Sequence, residues 1–211
     1  MHQKRNNVTR KIPIIRKGST YVVRAASSHK DSVPVLIAVR DMLKLAHTLK
    51  EVKYMIHLKL LKLNGKPVKD FKESIKIFNI LEADKPYILK VLPTKRFVFE
   101  PLDSKHQNSR TVKVADKKLI GKDKFQLNFH DGSNLLSTDK KIKVGDSLTI
   151  SFDKKILSHT SLEKGKSVFI ISGKYMGKEG KIDSVNGKEI SLKISDMDSS
   201  TELNQKSLIA I

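Results

Sequence analysis

The chain has 211 residues, of which 42 are Lys or Arg and 22 are Asp or Glu, so its formal net charge is +20 at pH 7. It contains no cysteine, which excludes disulfides, thiolate zinc sites and cysteine nucleophiles. A soluble domain does not need so large a charge for dispersal, and self-repulsion opposes folding. Because neutralising phosphates with Lys and Arg releases condensed counterions, the simplest partner is a polyanion, and nucleic acid is the leading candidate.

The positive charge is concentrated toward the N-terminal side. Residues 1–30 have a net charge of +8 without a single Asp or Glu, residues 31–81 add +5, residues 82–160 add +6 and residues 161–211 only +1. We therefore expect residues 1–30 to form an extended basic arm that becomes ordered when it binds. The longest apolar run, residues 33–39, is far shorter than the roughly 20 residues that cross a bilayer.

Two helices and a hairpin are expected after the arm. Asp31 and Ser32 suit an N-cap, with a proline in the following turn, so a first helix is predicted there. Thr48 and Glu51 have the spacing of a capping box, which predicts a second helix from Leu49. The Asn64-Gly65 pair then favours a tight hairpin turn.

The chain is predicted to be all β from Tyr87 onward. Residues 87–92, 97–99, 125–129 and 148–152 are rich in β-branched and aromatic side chains. Turn pairs separate these stretches at Asp131-Gly132, Gly145-Asp146 and Asn186-Gly187. The composition and charge balance change near Thr160, which indicates a domain boundary.

A glycine-rich segment follows that boundary. An apolar strand leads into Gly173, Gly177 and Gly180, with Lys174, Tyr175 and Lys178 between them, and a second strand begins at residue 181. The string Gly-x-x-x-x-Gly-Lys-Ser/Thr is missing from the sequence, so a phosphate-cradling P-loop is disfavoured. The segment resembles the KOW motif of small SH3-like barrels in ribosomal and transcription-elongation proteins.

The helix-helix-hairpin unit also resembles a known module. It opens with Arg40-Asp41-Met42-Leu43 and closes with Lys62-Leu63-Asn64-Gly65-Lys66, the pattern of the S-four RNA-binding domain. That family often has glycine at the end of the second helix, where this chain has Lys59. Since helices commonly end in a left-handed residue that glycine adopts at low cost, the exit from this helix is expected to differ.

Most of the chain is similar to the archaeal and eukaryotic small-subunit ribosomal protein family known as S four e. The resemblance rests on residues 124–136 with their Gln-Leu-Asn-Phe-His-Asp-Gly string, on residues 144–148, on residues 32–36 and on residues 15–18 of the arm. It implies a multi-domain α+β protein with four parts. These are a basic arm (1–30), an S-four-like domain of two helices and a hairpin (31–85), a central antiparallel β domain (86–160) and an SH3-like KOW β-barrel (161–211).

The function implied is that of a structural constituent of the small ribosomal subunit, in the cytoplasm, that binds ribosomal RNA and supports translation. The implied partners are small-subunit rRNA and neighbouring ribosomal proteins, with no membrane, small-molecule substrate, cofactor or obligate homo-oligomer. The expected RNA contacts are Lys4, Arg5, Arg10, Lys11, Arg16, Lys17 and Arg24 in the arm, Arg40, Lys44, Lys50, Lys53 and Lys66 in the S-four-like domain, and Lys174, Tyr175 and Lys178 in the KOW domain. Tyr175 has two open interpretations, stacking on a base or packing over its own barrel.

The sequence allows two other functions. The KOW resemblance alone also allows an RNA-binding factor outside the ribosome, of the transcription-elongation or RNA-chaperone type. S-four domains also accompany pseudouridine synthases, but residues 86–211 are predicted to form two small β domains rather than a catalytic domain. The seven histidines lack metal-ligand spacing, and His130-Asp131 has no converging nucleophile, so neither a metal site nor an enzyme is expected.

Overall fold

The computed structural model describes residues 2–102, 108–121, 123–187, 189–194 and 200–211, and the chain divides into two units, Met1–Asn108 and Ser109–Ile211. The described strands of the first unit are β1 (His2–Lys4), β2 (Tyr21–Val23), β3 (Ser32–Pro34), β4 (Lys62–Leu63), β5 (Lys66–Pro67), β6 (Ser74–Lys76), β7 (Ile80–Glu82), β8 (Pro86–Val91) and β9 (Phe97–Pro101). Those of the second unit are β10 (Ser109–Leu119), β11 (Phe125–Phe129), β12 (Asn134–Ser137), β13 (Ser147–Ser151), β14 (Ile156–Thr160), β15 (Ser167–Ile170), β16 (Glu179–Asn186), β17 (Glu189–Ile194), β18 (Ser200–Asn204) and β19 (Leu208–Ala210).

The fold is mostly β, and its helices are short. They are α1 (Val35–Ile37), which continues as a π-helical turn over Ala38–Met42, α2 (Leu49–His57), and 3-10 turns at Arg5–Asn7 and Gln205–Ser207. None of the helices in the described ranges is long and apolar enough to span a membrane.

The basic arm is folded, so the expectation of an extended arm is wrong. Strand β1 pairs with β2 in an antiparallel hairpin. Val8, Ile12, Val22 and Ala25 are all buried. The backbone N–H of Phe97 donates to the carbonyl of Lys11 at 2.8 Å, which fixes the arm against the start of β9. These apolar side chains give the arm a core that its charge pattern conceals.

The first helix begins later than the sequence predicted. Ser32 lies in β3, which pairs with β6, and its hydroxyl donates to the carbonyls of Ser27 and Ser28 instead of capping a helix. The helix starts at Val35, after Pro34, without a side-chain cap. The expected N-cap at Asp31 or Ser32 is therefore wrong, because strand pairing occupies this stretch.

The second helix begins where the capping box predicts. The backbone N–H of Glu51 donates to the Thr48 hydroxyl at 3.2 Å, and the Glu51 carboxylate accepts from the backbone N–H of His47 at 2.7 Å. The carboxylate also accepts from the Thr48 hydroxyl at 2.9 Å, and the bonds from His47 and from this hydroxyl hold the pKa of Glu51 below its usual range. The predicted hairpin follows, with Asn64 and Gly65 at φ values of 52° and 77° between β4 and β5.

A five-stranded antiparallel sheet of order β5-β4-β7-β8-β9 completes the first unit. The large buried apolar side chains of this unit come from the sheet, from α1, from β6 and from the residue before β4. They include Val35, Leu36, Ile37, Leu61, Ile75, Ile80, Leu81, Leu89 and Phe97.

The second unit contains two five-stranded antiparallel sheets, ordered β12-β11-β10-β13-β14 and β18-β17-β16-β15-β19. The first encloses Val112, Val114, Leu127, Phe129, Ile142, Leu148 and Ile150. The second encloses Val168, Ile170, Ile182, Ile190, Leu192, Ile194, Leu208 and Ala210. Gly180 is required by packing in the second sheet, because a Cβ there would lie 2.8 Å from the carbonyl oxygen of Lys193.

Candidate nucleic-acid interface

Several cations of the arm are used within it. The Arg5 guanidinium donates to the Ser19 carbonyl at 2.6 Å and the Ser19 hydroxyl at 2.7 Å, and it also reaches the carbonyl of Ile15. Arg16 donates to the carbonyls of Val8 and Thr9 at 2.9 and 3.2 Å. Arginine can hold a loop in this way because its guanidinium has five N–H groups, which can donate to several backbone carbonyls that have no partner in a sheet.

Two more arm cations have side-chain partners. Lys11 forms an ion pair with Asp31, and Arg24 contacts the ring of His29. Lys4, Arg10 and Lys17 are exposed. The arm residues predicted to contact RNA therefore fall into two groups, of which one shapes the arm and the other is available to a ligand.

An open cleft of about 680 Å³, called the arm cleft below, lies between the arm and the turn that joins β8 to β9. Its lining consists of residues 9–16 and 94–96. Five cations and no acid are among them: Arg10, Lys11, Arg16, Lys95 and Arg96. The arrangement suits a polyanion, since cations that share one cleft raise the local potential for phosphate groups.

The exit from α2 keeps the geometry that glycine usually provides. Lys59 has a φ of 57°, and its N–H donates to Ile56 at 2.9 Å while that of Leu60 donates to Met55 at 3.0 Å. These two bonds form a Schellman motif with Lys59 in the left-handed position. The expected change of geometry at this exit is wrong: the backbone conformation is kept, and lysine bears the steric cost.

A second open cleft, of about 710 Å³, follows this exit. Lys53, His57, Lys59 and Lys69 contribute its basic side chains and Asp70 an acidic one, and Phe71 lies among them. The Nζ atom of Lys53 is 5.4 Å from the centre of the Phe71 ring, within cation–π range. Lys50 lies on the same helix and is exposed, so α2 presents two lysines to solvent beside this cleft.

Arg40 differs from the lysines of α2 because it already has an acidic partner. Its Nε and one terminal nitrogen each donate to an Asp41 oxygen at 2.9 Å, and these bonds raise the pKa of Arg40. Lys44 follows at a φ of 57° and is exposed, as is Lys66 in β5. Among the predicted contacts of this region, Arg40 has two of its five N–H donors engaged by an acid within the fold.

In the KOW segment, Tyr175 is partly buried and packs against the core of its own sheet. The geometry thus favours packing over the barrel for this side chain. Lys174 is exposed, with Nζ 5.6 Å from the Tyr175 ring centre, and Lys178 is half-buried. Gly177 has a φ of 87° and donates its N–H to Ile170 at 2.8 Å, which closes the turn.

The His-Asp-Gly string stabilises a turn between β11 and β12. Asp131 pairs with Arg110 and accepts from the backbone N–H and hydroxyl of Ser133 at 2.8 and 2.6 Å. Burial alone would raise the pKa of Asp131, but the charge of Arg110 and the Ser133 hydrogen bonds outweigh it and lower the pKa. The neighbouring His130 accepts from the backbone N–H of Lys113 at 3.1 Å. This arrangement is structural, and in the described part of the chain His, Cys, Asp and Glu form no metal-binding group.

The two sheets of the second unit are joined by polar contacts, and the Lys113 and Ser147 side chains among them are buried. Lys113 in β10 is buried, and its Nζ donates to the backbone carbonyl of Gln205. Burial lowers the pKa of Lys113 to about 8. The side chain of Gln205 donates to the Val144 carbonyl at 2.9 Å, and the N–H of Ala210 donates to the Ser147 hydroxyl at 2.9 Å.

Three lysines and one arginine of the two clefts are absent from the RNA contacts predicted from the sequence. These are Lys59, Lys69, Lys95 and Arg96. Lys72 lies close to the second cleft, with its Nζ 5.1 Å from the centre of the Phe71 ring. Turn position alone does not distinguish them from other solvated charges. For Lys95 and Arg96 the missing signal was the partner segment, since the arm cleft joins residues 94–96 to residues 9–16, which are distant along the chain.

Comparisons with known proteins agree with this architecture. The model of ribosomal family S4e matches residues 83–156, and that of the KOW motif matches residues 164–193. The small ribosomal subunit protein eS4 of Halobacterium salinarum is 33% identical over 191 residues, covering 88% of this chain and 82% of its relative. The corresponding protein of Methanospirillum hungatei is 32% identical over 178 residues, covering 80% and 73% respectively.

A solved structure extends the likeness to three dimensions. The crystal structure of the 30S ribosomal protein S4e from Thermoplasma acidophilum superposes with a TM-score of 0.74 at 25% sequence identity. The match covers 86% of this chain and 95% of the other. Sequence relatives and fold thus agree along most of the chain, which belongs to the eS4 family of small ribosomal subunit proteins.

Proposed function

We propose that this chain is a structural constituent of the small ribosomal subunit and binds ribosomal RNA mainly through its first unit. The observation that carries the proposal is the pair of basic clefts in that unit, together with membership of the eS4 family. Lysine and arginine at such surfaces neutralise phosphates and position a protein on RNA. A-form RNA offers backbone and shape rather than readable base edges in its deep groove, so backbone contacts suit it.

Within this function the parts have different roles. The arm (1–30) and the S-four-like domain (31–85) contact RNA through exposed cations such as Arg10, Lys50 and Lys53. The central β domain (86–160) and the KOW barrel (161–211) act together, and the barrel, which is almost neutral, is the part that meets neighbouring ribosomal proteins. The protein works in the cytoplasm without a cofactor, a catalytic step or an obligate second copy. We assign it the α+β layout of two helices and a hairpin before two β domains.

Sedimentation tests this function. The full chain should remain with small subunits that have been washed in high salt, because its contacts are buried in the assembled particle. Quantitative release by the wash would contradict the role of a core constituent and favour a factor that binds RNA outside the ribosome. Conversion of an RNA base in stoichiometric amounts by the purified chain would favour a modifying enzyme instead.

Binding of naked RNA provides a second test. Affinity for small-subunit rRNA should fall steeply as salt rises, with a log–log slope of several units, because each neutralised phosphate contributes roughly 0.7–0.9. A flat response to salt would contradict binding through phosphates.

A further inference from the structure

The arm cleft has features that go beyond a general basic surface, and an inference from them rests on the proposed function. Its two walls are held together by the backbone bond from Phe97 to Lys11 at 2.8 Å. Ile12 and Phe97 are 2% exposed on either side of that bond. The cleft is therefore formed by the folded chain before any ligand arrives.

Three of its cations are available to a ligand. Arg16 donates to carbonyls within the arm, and Lys11 is paired with Asp31. Arg10, Lys95 and Arg96 have no acidic partner among the described residues, and all three are exposed. Unpaired cations that line one cleft repel each other, so their proximity costs stability unless an anion lies between them.

Lys95 is held in a backbone conformation that lysine rarely adopts. Its φ is 63°, its N–H donates to Leu92 at 2.8 Å, and the N–H of Leu92 donates to Arg96 at 2.8 Å. This is a three-residue hairpin loop in which the left-handed position normally favours glycine. Here the strained residue is one of the three free cations.

The apolar part of the lining indicates what kind of anion fits. Pro13, Ile14 and Ile15 share the cleft with the cations, and Ile15 is 78% exposed. A small inorganic anion would leave this apolar surface in water. A nucleotide chain would cover it with ribose and base faces while its phosphates meet the cations.

We propose that the arm cleft seats the sugar–phosphate backbone of an RNA strand, with Arg10, Lys95 and Arg96 on its phosphates and Ile15 against a ribose or base. Lys95 and Arg96 thereby become RNA contacts. The contacts fix the register of the strand on the first unit and do not select its sequence.

A second hairpin supplies a matched control. Lys154 has a φ of 64°, its N–H donates to Ser151 at 2.9 Å, and the N–H of Ser151 donates to Lys155 at 2.9 Å. The loops thus share a left-handed lysine followed by a basic residue. Lys95→Gly and Lys154→Gly each remove one charge and relieve the same strain, so both should raise the melting temperature, by about 2 °C.

The two variants should differ in RNA binding. Filter binding of the full-length chain to small-subunit rRNA should show that Lys95→Gly loses about fivefold in affinity and close to one unit of salt slope. Lys154→Gly should change affinity by less than twofold. Equal losses would mean that the cleft contributes only general charge, and an unchanged affinity for Lys95→Gly would mean that the cleft is not a contact; either result overturns the inference.

Direct mapping gives an independent readout. Because the chain lacks cysteine, Thr94→Cys provides a single attachment point for an iron chelate that generates hydroxyl radicals. Cleavage should be confined to a short stretch of rRNA next to the chelate, and Asp153→Cys should not cleave that stretch. Diffuse cleavage from Thr94→Cys would contradict a seated strand. Inorganic phosphate should compete with rRNA for the chain less well than an RNA strand does at the same ionic strength, and equal competition by the two would also contradict the inference.

These outcomes separate the inference from the function on which it rests. Failure of the unmodified chain to bind small-subunit rRNA would overturn both. Normal binding by the unmodified chain, with equal affinities for Lys95→Gly and Lys154→Gly, would overturn the inference alone.

Discussion

The two units use charge in opposite ways. The first has +14 of the net charge of +20, and its described Lys and Arg side chains are all at least partly exposed. The second has +6, and it buries Lys113 and Asp146 where its sheets meet. A charge in water is available to a ligand, whereas a buried charge must find its partner within the fold. Charge density alone therefore does not locate an RNA surface, and burial has to be known as well.

The largest test of this contrast removes a buried acid. Asp146 is 4% exposed and accepts from the backbone N–H of Lys143 at 2.9 Å and from His159 at 2.8 Å. Asp146→Ala should destabilise the second unit by about 3 kcal/mol, because these donors lose their acceptor. Hydrogen exchange resolved by mass spectrometry would show faster exchange in peptides of the second unit. Asp116→Ala, at an exposed aspartate, should change the free energy of unfolding of the second unit by less than about 0.5 kcal/mol. An effect as large as that of Asp146→Ala would contradict the contrast between buried and exposed charge.

The next test uses pH. The pKa of Lys113 is lowered by burial from 10.5 to about 8, so between these values the unfolded chain binds more protons than the folded one. Stability of the second unit should therefore rise as pH increases from about 8 to 10.5, by about 2 kcal/mol. Urea denaturation across this range would measure the gain. Lys113→Met fills the same space without a titratable group, so this variant should lack most of the gain in stability between pH 8 and 10.5. A gain of the same size in that variant would assign the effect to the overall loss of positive charge.

Charge reversal on α2 tests the first unit. Lys50 and Lys53 are exposed, and acids near a helix N-terminus are favourable, so Lys50→Glu with Lys53→Glu should leave folding intact. Affinity for small-subunit rRNA should fall at least tenfold, or about 1.4 kcal/mol, with little change in preference among rRNA fragments. The matched control reverses Lys193 and Lys206, which are exposed in the second unit. An equal loss there would remove the distinction between the units.

The smallest effect concerns the exit from α2. Lys59→Gly should stabilise the first unit by about 0.5–1 kcal/mol, since glycine adopts a φ of 57° without the steric cost that lysine bears. Lys53→Gly on the same helix should cost about 1 kcal/mol, because that position is helical. Thermal unfolding followed by circular dichroism would show whether each substitution raises or lowers the stability. A loss of stability for Lys59→Gly would mean that its side chain makes a contact worth more than the strain.

Local patterns predicted local structure well. The capping box of Thr48 and Glu51, the hairpin at Asn64-Gly65 and the strand at residues 125–129 all form as their sequences indicate. Each is decided by neighbours along the chain, so a sequence contains enough to find it. The start predicted for the first helix was wrong for the opposite reason, since β6, about 40 residues later, pairs with Ser32–Pro34 and delays the helix to Val35.

For the candidate RNA interface, the sequence predicted which types of residue take part but not how they are arranged. The arm cations were identified, but Arg5 and Arg16 are engaged by carbonyls that only the folded arm brings near. Lys95 and Arg96 belong to the site only because the fold places the turn after β8 beside residues 9–16, some 80 positions earlier. Likewise Lys113 meets Gln205, 92 positions away. Such pairings depend on tertiary packing, which no periodicity encodes.

The folded arm has a thermodynamic consequence for assembly. Its hairpin and buried side chains already fix residues 2–26, so the conformational entropy of roughly 1–2 kcal/mol per ordered residue is lost during folding and not on contact with RNA. A segment that ordered on binding would show a large negative heat-capacity change. At the proposed RNA interface, a preorganised arm should instead dock as a rigid body, with a small heat-capacity change and a rate of association set by electrostatic attraction.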